Sequence, residues 1–287
     1  KYPINGLGHE GVGVVVEVRE NPEGLKVGDR VALEPYVPCL KCHMCAEERW
    51  NNCADLHVCG VHKDGMMAEY FLHPTRQCFK IPDDMSFLHA ALVEPFTIGL
   101  HGATRARVKA GEHVVVFGAG VIGLMASFAC INYGATPILV DIIQERLDEA
   151  KEMGVPYVFN SKEGNVEDYL KEVTNGKLPE AMIDCTGAPA ILGKMHDYVC
   201  HGGRIALIGW PHDPVLINTV RLMQKEIDVV PSRNSNKKFP EAIQLIHDGK
   251  LPVDALTTRT CKLDEVETVI QDMIKNPANY LKVVVEI

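Results

Sequence analysis

Up to Phe71 the apolar residues fall in short β-rich runs cut by Gly, Pro and Asp. From His113 onward they form apolar runs that alternate with stretches of helical period. The runs 12–18, 30–33 and 67–71, separated by turns such as Asn21-Pro22-Glu23-Gly24 and Val27-Gly28-Asp29, predict a small antiparallel β domain. After it, strands at 113–117, 137–140, 157–160, 181–185, 204–208 and 227–230 alternate with helices that begin near Val121 and cover 144–153, 166–174 and 189–199. Strands joined mostly by helical crossovers pair in parallel, so the spacing predicts an α/β fold with a doubly wound parallel sheet. Beyond Phe239 come amphipathic helices at 240–247 and 263–275 and an apolar closing strand at 282–287. That strand needs a partner. Its return to the β domain would make the domain discontinuous, with 1–96 and 238–287 in one body and 97–237 in the other.

Composition narrows the function. A chain of 287 residues, 46% hydrophobic and 23% charged, suffices for two domains with covered cores. A net charge of −9 argues against a nucleic-acid partner, because phosphate binding needs clustered cations. The densest basic group, Arg105, Arg107 and Lys109, reads as a solvated helix end. Residues 114–140 carry no formal charge and imitate a membrane span, but Gly118, Gly120 and Gly123 punctuate them as strand, turn and helix, so no membrane partner is expected. Cys59, Cys78, Cys130, Cys185, Cys200 and Cys261 are scattered singly, some of them in apolar runs, and read as reduced packing residues of a cytoplasmic protein. No signal peptide is evident. Lys1 opens directly into a motif-bearing segment, so a further segment is expected upstream.

Four sets of residues carry chemistry. Cys39, Cys42, Cys45 and Cys53 follow CxxCxxCx7C, the spacing of a closed tetrahedral thiolate site for a structural zinc; a redox or disulfide cluster is the alternative. Gly118-Ala119-Gly120-Val121-Ile122-Gly123 follows a strand and opens a helix, and Asp141 ends the next strand. In that context the glycines admit a pyrophosphate at the helix N-terminus and Asp141 can accept from an adenosine ribose. A carboxylate there repels a 2′-phosphate, which favours NAD over NADP; Arg146 is the dissenting residue, solvated or lying against the adenine in the NAD reading. Gly8-His9-Glu10 pairs an imidazole with a carboxylate, a usable pair for a metal with an open position, although an ordinary loop histidine looks the same. Glu94 stands in the apolar stretch Leu92-Val93-Glu94-Pro95-Phe96, where burial would require a cation or a hydrogen-bond network; an exposed helix-start carboxylate is the alternative.

With these residues assembled, the chain resembles the zinc-containing medium-chain dehydrogenases, through Gly8-His9-Glu10 with Gly13, the four-cysteine lobe, Glu94-Pro95, the glycine fingerprint and Cys185-Thr186-Gly187. Glu94-Pro95 and Ser232-Arg233-Asn234-Ser235 are similar to the polyol and sugar-acid branch, typified by sorbitol dehydrogenase. The resemblance implies a GroES-like β domain beside a Rossmann domain, a catalytic zinc held at His9 and Glu10 with Glu94 as ligand or through water, and Arg233 on the substrate side. Thr186, Ile208 and Ser232 would line the NAD cleft at strand ends. It further implies oxidation of a secondary alcohol of a small-molecule polyol or sugar acid, and a homo-oligomer, tetramer or dimer. Arg19 departs from the small residue the family often carries there, and the family's catalytic Cys falls in the expected upstream segment. The alternatives are a catalytically incomplete NAD- and zinc-binding protein, and a dehydrogenase of L-threonine or simple secondary alcohols.

Overall fold

The computed structural model describes residues 6–19 and 21–287; residues 1–5 and Glu20, part of the expected first domain, lie outside the described residues. The chain divides into two compact units, Lys1–Thr97 with Ser235–Ile287, and Ile98–Asn234.

In the first unit β1 (Val12–Val14), β2 (Arg30–Leu33) and β5 (Cys78–Lys80) form an antiparallel sheet with β2 in the middle, while β3 (Tyr36–Val37) and β4 (His57–Val58) pair separately. Val31 and Ala32 on β2 are buried with Leu25, Ile81 and Met85. Two expected strands are corrected. The run 12–18 is strand only to Val14: Val15 still exchanges backbone bonds with Gly28 and Asp29, and the described residues after it leave the ladder. The run 67–71 is not a strand: Ala68 N–H donates to the Met66 carbonyl, a two-residue return that bends the chain, and Tyr70 beyond it is exposed.

The second unit holds β6 (His113–Phe117), β7 (Thr136–Asp141), β8 (Tyr157–Asn160), β9 (Ala181–Asp184), β10 (Arg204–Leu207) and β11 (Asp228–Pro231). They lie in the order β11-β10-β9-β6-β7-β8, all parallel. The central strands are buried, which is why they read as unbroken apolar runs rather than alternating ones. Val115, Phe117, Ile138, Leu170, Met182 and Ile205 form much of one core cluster. Strand order reverses between β6 and β9, the position at which open α/β sheets bind ligands beyond their carboxyl ends. The expected helix 189–199 is interrupted: Pro189–Leu192 is helical, Gly193 follows, and Met195–Asp197 is a separate 3₁₀ turn. The basic group is not merely solvated, since Arg107 pairs with Asp228 and Arg105 Nε donates to the Pro231 carbonyl at 2.9 Å, both at β11.

The chain re-enters the first unit with the helix Phe239–His247, whose Phe239 stacks on Phe79 of β5 at a centroid distance of 5.0 Å. The closing strand β13 (Lys282–Glu286) does not add to the β1-β2-β5 sheet; it pairs in parallel with β12 (Thr257–Lys262), which the sequence pattern did not reveal. The helix Val266–Lys275 makes the crossover that parallel pairing requires. Among the described residues no helix is long and apolar enough to cross a membrane.

Glu34, at the end of β2, is buried, and that burial pushes its carboxyl from the ordinary 4.5 up to about 7. A carboxyl whose folded pKa is raised favours folding fully only below its unfolded value, and the advantage is lost as pH rises towards 7. Glu34→Gln is therefore expected to be neutral near pH 4.5 and to stabilise at pH 8, by at most about 3 kcal/mol for a shift of this size. Urea unfolding of both proteins at the two pH values checks this; an equal difference at both would contradict it.

Candidate functional site

The four-cysteine lobe is built by local backbone geometry. Leu40 adopts φ 61°, turning the chain between Cys39 and Cys42, and the short helix His43–Ala46 carries Cys45 back towards them. One sulfur from each of Cys39, Cys42, Cys45 and Cys53 lies within 4.8 Å of the others. Cys42 Sγ stands 3.6 Å from Cys45 Sγ and 3.9 Å from Cys53 Sγ. Four sulfurs at about 2.3 Å from a central zinc stand about 3.8 Å apart, whereas a disulfide needs about 2.05 Å. The lobe fits a zinc and not a disulfide. Backbone N–H groups of Ala54 and Cys45 pull the Cys42 thiol down to about 6, while burial pushes Cys45 up to about 12. Cys39 N–H donates to Cys53 Sγ at 3.2 Å. Donors of this kind favour thiolate, the form that a metal takes.

A second set gathers elsewhere in the same unit. His9 and Glu10 come from the loop before β1, Glu94 from the first turn of the helix Val93–Arg105, and one ligand atom from each lies within 4.8 Å of the others. Glu94 is 4% exposed, and burial, reinforced by the charge of Glu10, pushes its carboxyl up to about 8. Tyr36 O–H donates to Glu94 Oε1, and Lys282 Nζ pairs with Glu10 Oε2. Glu10, Glu34 and Glu94 all act on Tyr36, which burial and their charge push well above the ordinary tyrosine value. Lys282 is the ammonium that pairs with Glu10 and acts on Glu94, so with Glu10, Glu34 and Glu94 ionised these four groups carry −3 + 1 = −2. A divalent cation carries that charge, and an imidazole with carboxylates is a donor set that zinc accepts. The arrangement fits a zinc, to which these residues would give three of its usual four ligands.

The glycine turn lies in the second unit. A Cβ on Gly123 would stand 1.6 Å from the Gly118 carbonyl oxygen, and Gly118 itself has φ 100°, so neither position accepts another residue without rearrangement. A Cβ on Gly120 would meet nothing within 4 Å, and no side chain caps the helix Val121–Asn132 that Gly120 precedes. Open space over uncapped N–H groups, with Val121 and Ile122 in the first turn, suits a pyrophosphate. Asp141 Oδ2 accepts from Ala119 N–H at 2.6 Å, and Oδ1 from the N–H groups of Ile142 and Ile143. Each carboxylate oxygen retains acceptor capacity beyond these bonds. Arg146 is half-buried on the helix Gln144–Glu152.

The remaining expected cofactor residues differ in what their side chains already do. Thr186 Oγ1 donates to Asp184 Oδ1 at 2.6 Å and accepts from Ala188 N–H. Ile208 is buried, its Cδ1 only 2.3 Å from where a Gly102 Cβ would stand. Ser232 is buried and its Oγ has no partner among the described residues; Arg233 is half-buried.

Comparison with known proteins gives this geometry its setting. The alcohol dehydrogenase GroES-like domain matches residues 1–83 and the zinc-binding dehydrogenase family matches residues 121–248. A zinc-type alcohol dehydrogenase-like protein of Haemophilus influenzae is 40% identical over 278 residues, 96% of this chain and 81% of that protein. The chain belongs to the zinc-type medium-chain alcohol dehydrogenases. Sorbitol dehydrogenase of Bacillus subtilis is 32% identical, over 97% of this chain and 80% of that enzyme. The crystal structure of the alcohol dehydrogenase RspB of Escherichia coli CFT073, complexed with NADH, superposes with a TM-score of 0.92 at 31% identity, covering 98% of this chain and 83% of that one.

Sequence reasoning missed Tyr36, Lys282 and Asp184. Lys282 is 272 positions from Glu10, so no local signal links them. Asp184 is fully buried and accepts from Thr186 and Gly187, and the Asp at the end of an apolar strand was its only mark.

Replacing Cys53 by Ala takes one of four thiolates from the lobe. The expected result is loss of one zinc per chain by atomic emission, with faster proteolysis within 39–54; unchanged zinc content would contradict the assignment.

Proposed function

We propose that the chain is a zinc- and NAD-dependent oxidoreductase that oxidises a secondary alcohol of a polyol or sugar acid to the ketone. The observation that carries this reading is the convergence of His9, Glu10 and Glu94 to within 4.8 Å in a region where three carboxyls face one lysine. Similarity to sorbitol dehydrogenase of Bacillus subtilis, D-xylulose reductase of Morganella morganii (33% identical, over 91% of this chain and 78% of that enzyme) and L-arabinitol 4-dehydrogenase of Aureobasidium melanogenum (36% identical, 90% and 72%) supports the substrate class.

In this reading His9, Glu10 and Glu94 hold the catalytic zinc, and the Cys39, Cys42, Cys45 and Cys53 thiolates hold a structural one. Zinc at the first site supplies Lewis acidity towards the substrate hydroxyl, and a bound nicotinamide supplies the hydride acceptor. The chain's own part is positional. Lys282 and Tyr36 fix the two carboxylates, so their charge is presented without the reorganisation that water would need. Gly118, Gly120, Val121, Ile122 and Gly123 give backbone donors to the pyrophosphate, and Asp141 accepts from the adenosine ribose. Thr186, Ile208 and Ser232 follow the cofactor, the unsatisfied Ser232 hydroxyl being the one free to donate to it. Arg233 is assigned to the substrate by the family resemblance, a guanidinium being suited to the hydroxyls of a polyol or the carboxylate of a sugar acid. A cytoplasmic homo-oligomer completes the proposal.

A panel of polyols, sugar acids, L-threonine and simple secondary alcohols with NAD tests the reading. NADH formation with members of the first two classes, lost by more than about 100-fold in Glu94→Ala, is the expected result. NAD binding without turnover of any member would instead favour a binding protein. Asp141→Ala is expected to weaken NAD binding about tenfold, the size of one lost hydrogen bond to a charged group, while narrowing the preference for NAD over NADP; calorimetric titration of both nucleotides measures it.

A further inference from the structure

The strongest unexplained contact near the proposed metal site is that of Tyr36, which no sequence motif marks. Tyr36 is 5% exposed and Glu94 4%, and a buried phenol needs a hydrogen-bond partner. Both ends of the contact are independently fixed. Gln77 Nε2 donates to the Tyr36 carbonyl, and Tyr36 pairs with Val58 across β3 and β4. On the other side Thr97 Oγ1 donates to the Glu94 carbonyl at 2.6 Å in the first turn of its helix. The phenol and the carboxylate therefore meet between two backbone segments that are each held by hydrogen bonds of their own.

We propose that Tyr36 is a positioning residue for Glu94, its O–H engaging one carboxylate oxygen so that the other is presented to the ion shared with His9 and Glu10. The inference rests on the reading of His9, Glu10 and Glu94 as a metal site. A carboxylate with one oxygen engaged meets a cation through a single atom in a set direction. An unheld carboxylate can rotate or grip with both oxygens and crowd the position a substrate needs. A phenol donor also favours the ionised carboxylate, against the burial that opposes it. Phenylalanine at the same place keeps the ring and its packing, which separates this role from core filling.

The test is zinc and cobalt titration against a competing chelator with the protein, Tyr36→Phe, Glu94→Ala and the double variant. Thiolate absorption of cobalt reports the cysteine lobe separately from the nitrogen and oxygen site. Partners that orient a metal ligand are worth 10–100-fold in metal affinity, so Tyr36→Phe is expected to weaken the nitrogen and oxygen site about tenfold or more and to leave the cysteine lobe unchanged. In the Glu94→Ala background the same substitution is expected to add nothing. Should Tyr36→Phe not fold, the wild-type protein still decides: loading the second site should give a near-ultraviolet tyrosine difference spectrum that Glu94→Ala lacks. Two metals bound with Tyr36→Phe unaltered, an equal loss in both backgrounds, or no tyrosine signal in the wild type would each overturn the inference alone. A wild-type protein that binds metal only in the cysteine lobe would overturn the metal-site reading and the inference together.

Discussion

Carboxylates buried with too little positive charge around them are the constraint on which the first unit depends. Glu94 is almost fully enclosed, Glu34 is buried beside the same tyrosine, and Glu10 leans on the half-hidden Lys282. Leaving such charges uncompensated in an interior costs several kcal/mol each. The unit meets that cost by bringing one residue from each of several distant elements to one place: the loop before β1, the short β3, the start of a helix, and the last strand. The return of the chain at Ser235 thereby acquires a physical purpose, because Lys282 cannot reach Glu10 unless β13 docks in this unit.

The second unit works by the opposite means. Its proposed cofactor site is made almost entirely of backbone, and side chains matter mainly where they are absent or where they tie the backbone down. Gly123 lets the helix sit against the turn at Gly118, Asp141 draws Ala119 N–H towards the next strand, and Asp184 holds the Thr186-Gly187 loop. Asp141 at the end of β7 thus braces the loop after β6, and Asp184 at the end of β9 braces the loop that follows it, flanking the point between β6 and β9 where the strand order reverses. The glycines make the space and the aspartates keep it rigid.

These two modes of construction explain what could be read from sequence. A backbone site leaves a local record: the fingerprint from Gly118 to Gly123 and the apolar strands before and after it lie within one βαβ stretch, and the alternating periods gave the parallel sheet and its six strands. The cysteine lobe was legible for the same reason, its ligands falling within 39–53. His9, Glu10 and Glu94 could be singled out by chemistry, but their meeting could not, because it depends on packing among elements with no fixed spacing. Short pieces failed most often. The strand β5 has only three residues and β12, though six long, reads Thr-Thr-Arg-Thr-Cys-Lys with almost no apolar position to mark it, whereas the run 67–71 had strand-like composition but was turned aside by one local hydrogen bond at Ala68. The closing strand was recognised as a strand, yet its partner was not, since parallel pairing with Thr257–Lys262 is set by the crossover helix between them.

The two donor sets of the first unit differ in a way that supports the different work proposed for them. Four sulfurs at tetrahedral separations fill the coordination that zinc prefers and leave no position for a substrate, so the lobe can hold a loop that has little else to bury. One imidazole and two carboxylates provide fewer, harder ligands, and the carboxylates are restrained from outside by a phenol and an ammonium rather than by each other. Restraint from outside matters for chemistry. A ligand that holds itself in place only through the metal will follow the metal's charge as a reaction proceeds, whereas one fixed by its own partners keeps its direction while the charge on the opposite side changes. In the proposed function the four-thiolate set serves structure, and the externally braced set of three ligands is the one that would polarise an alcohol.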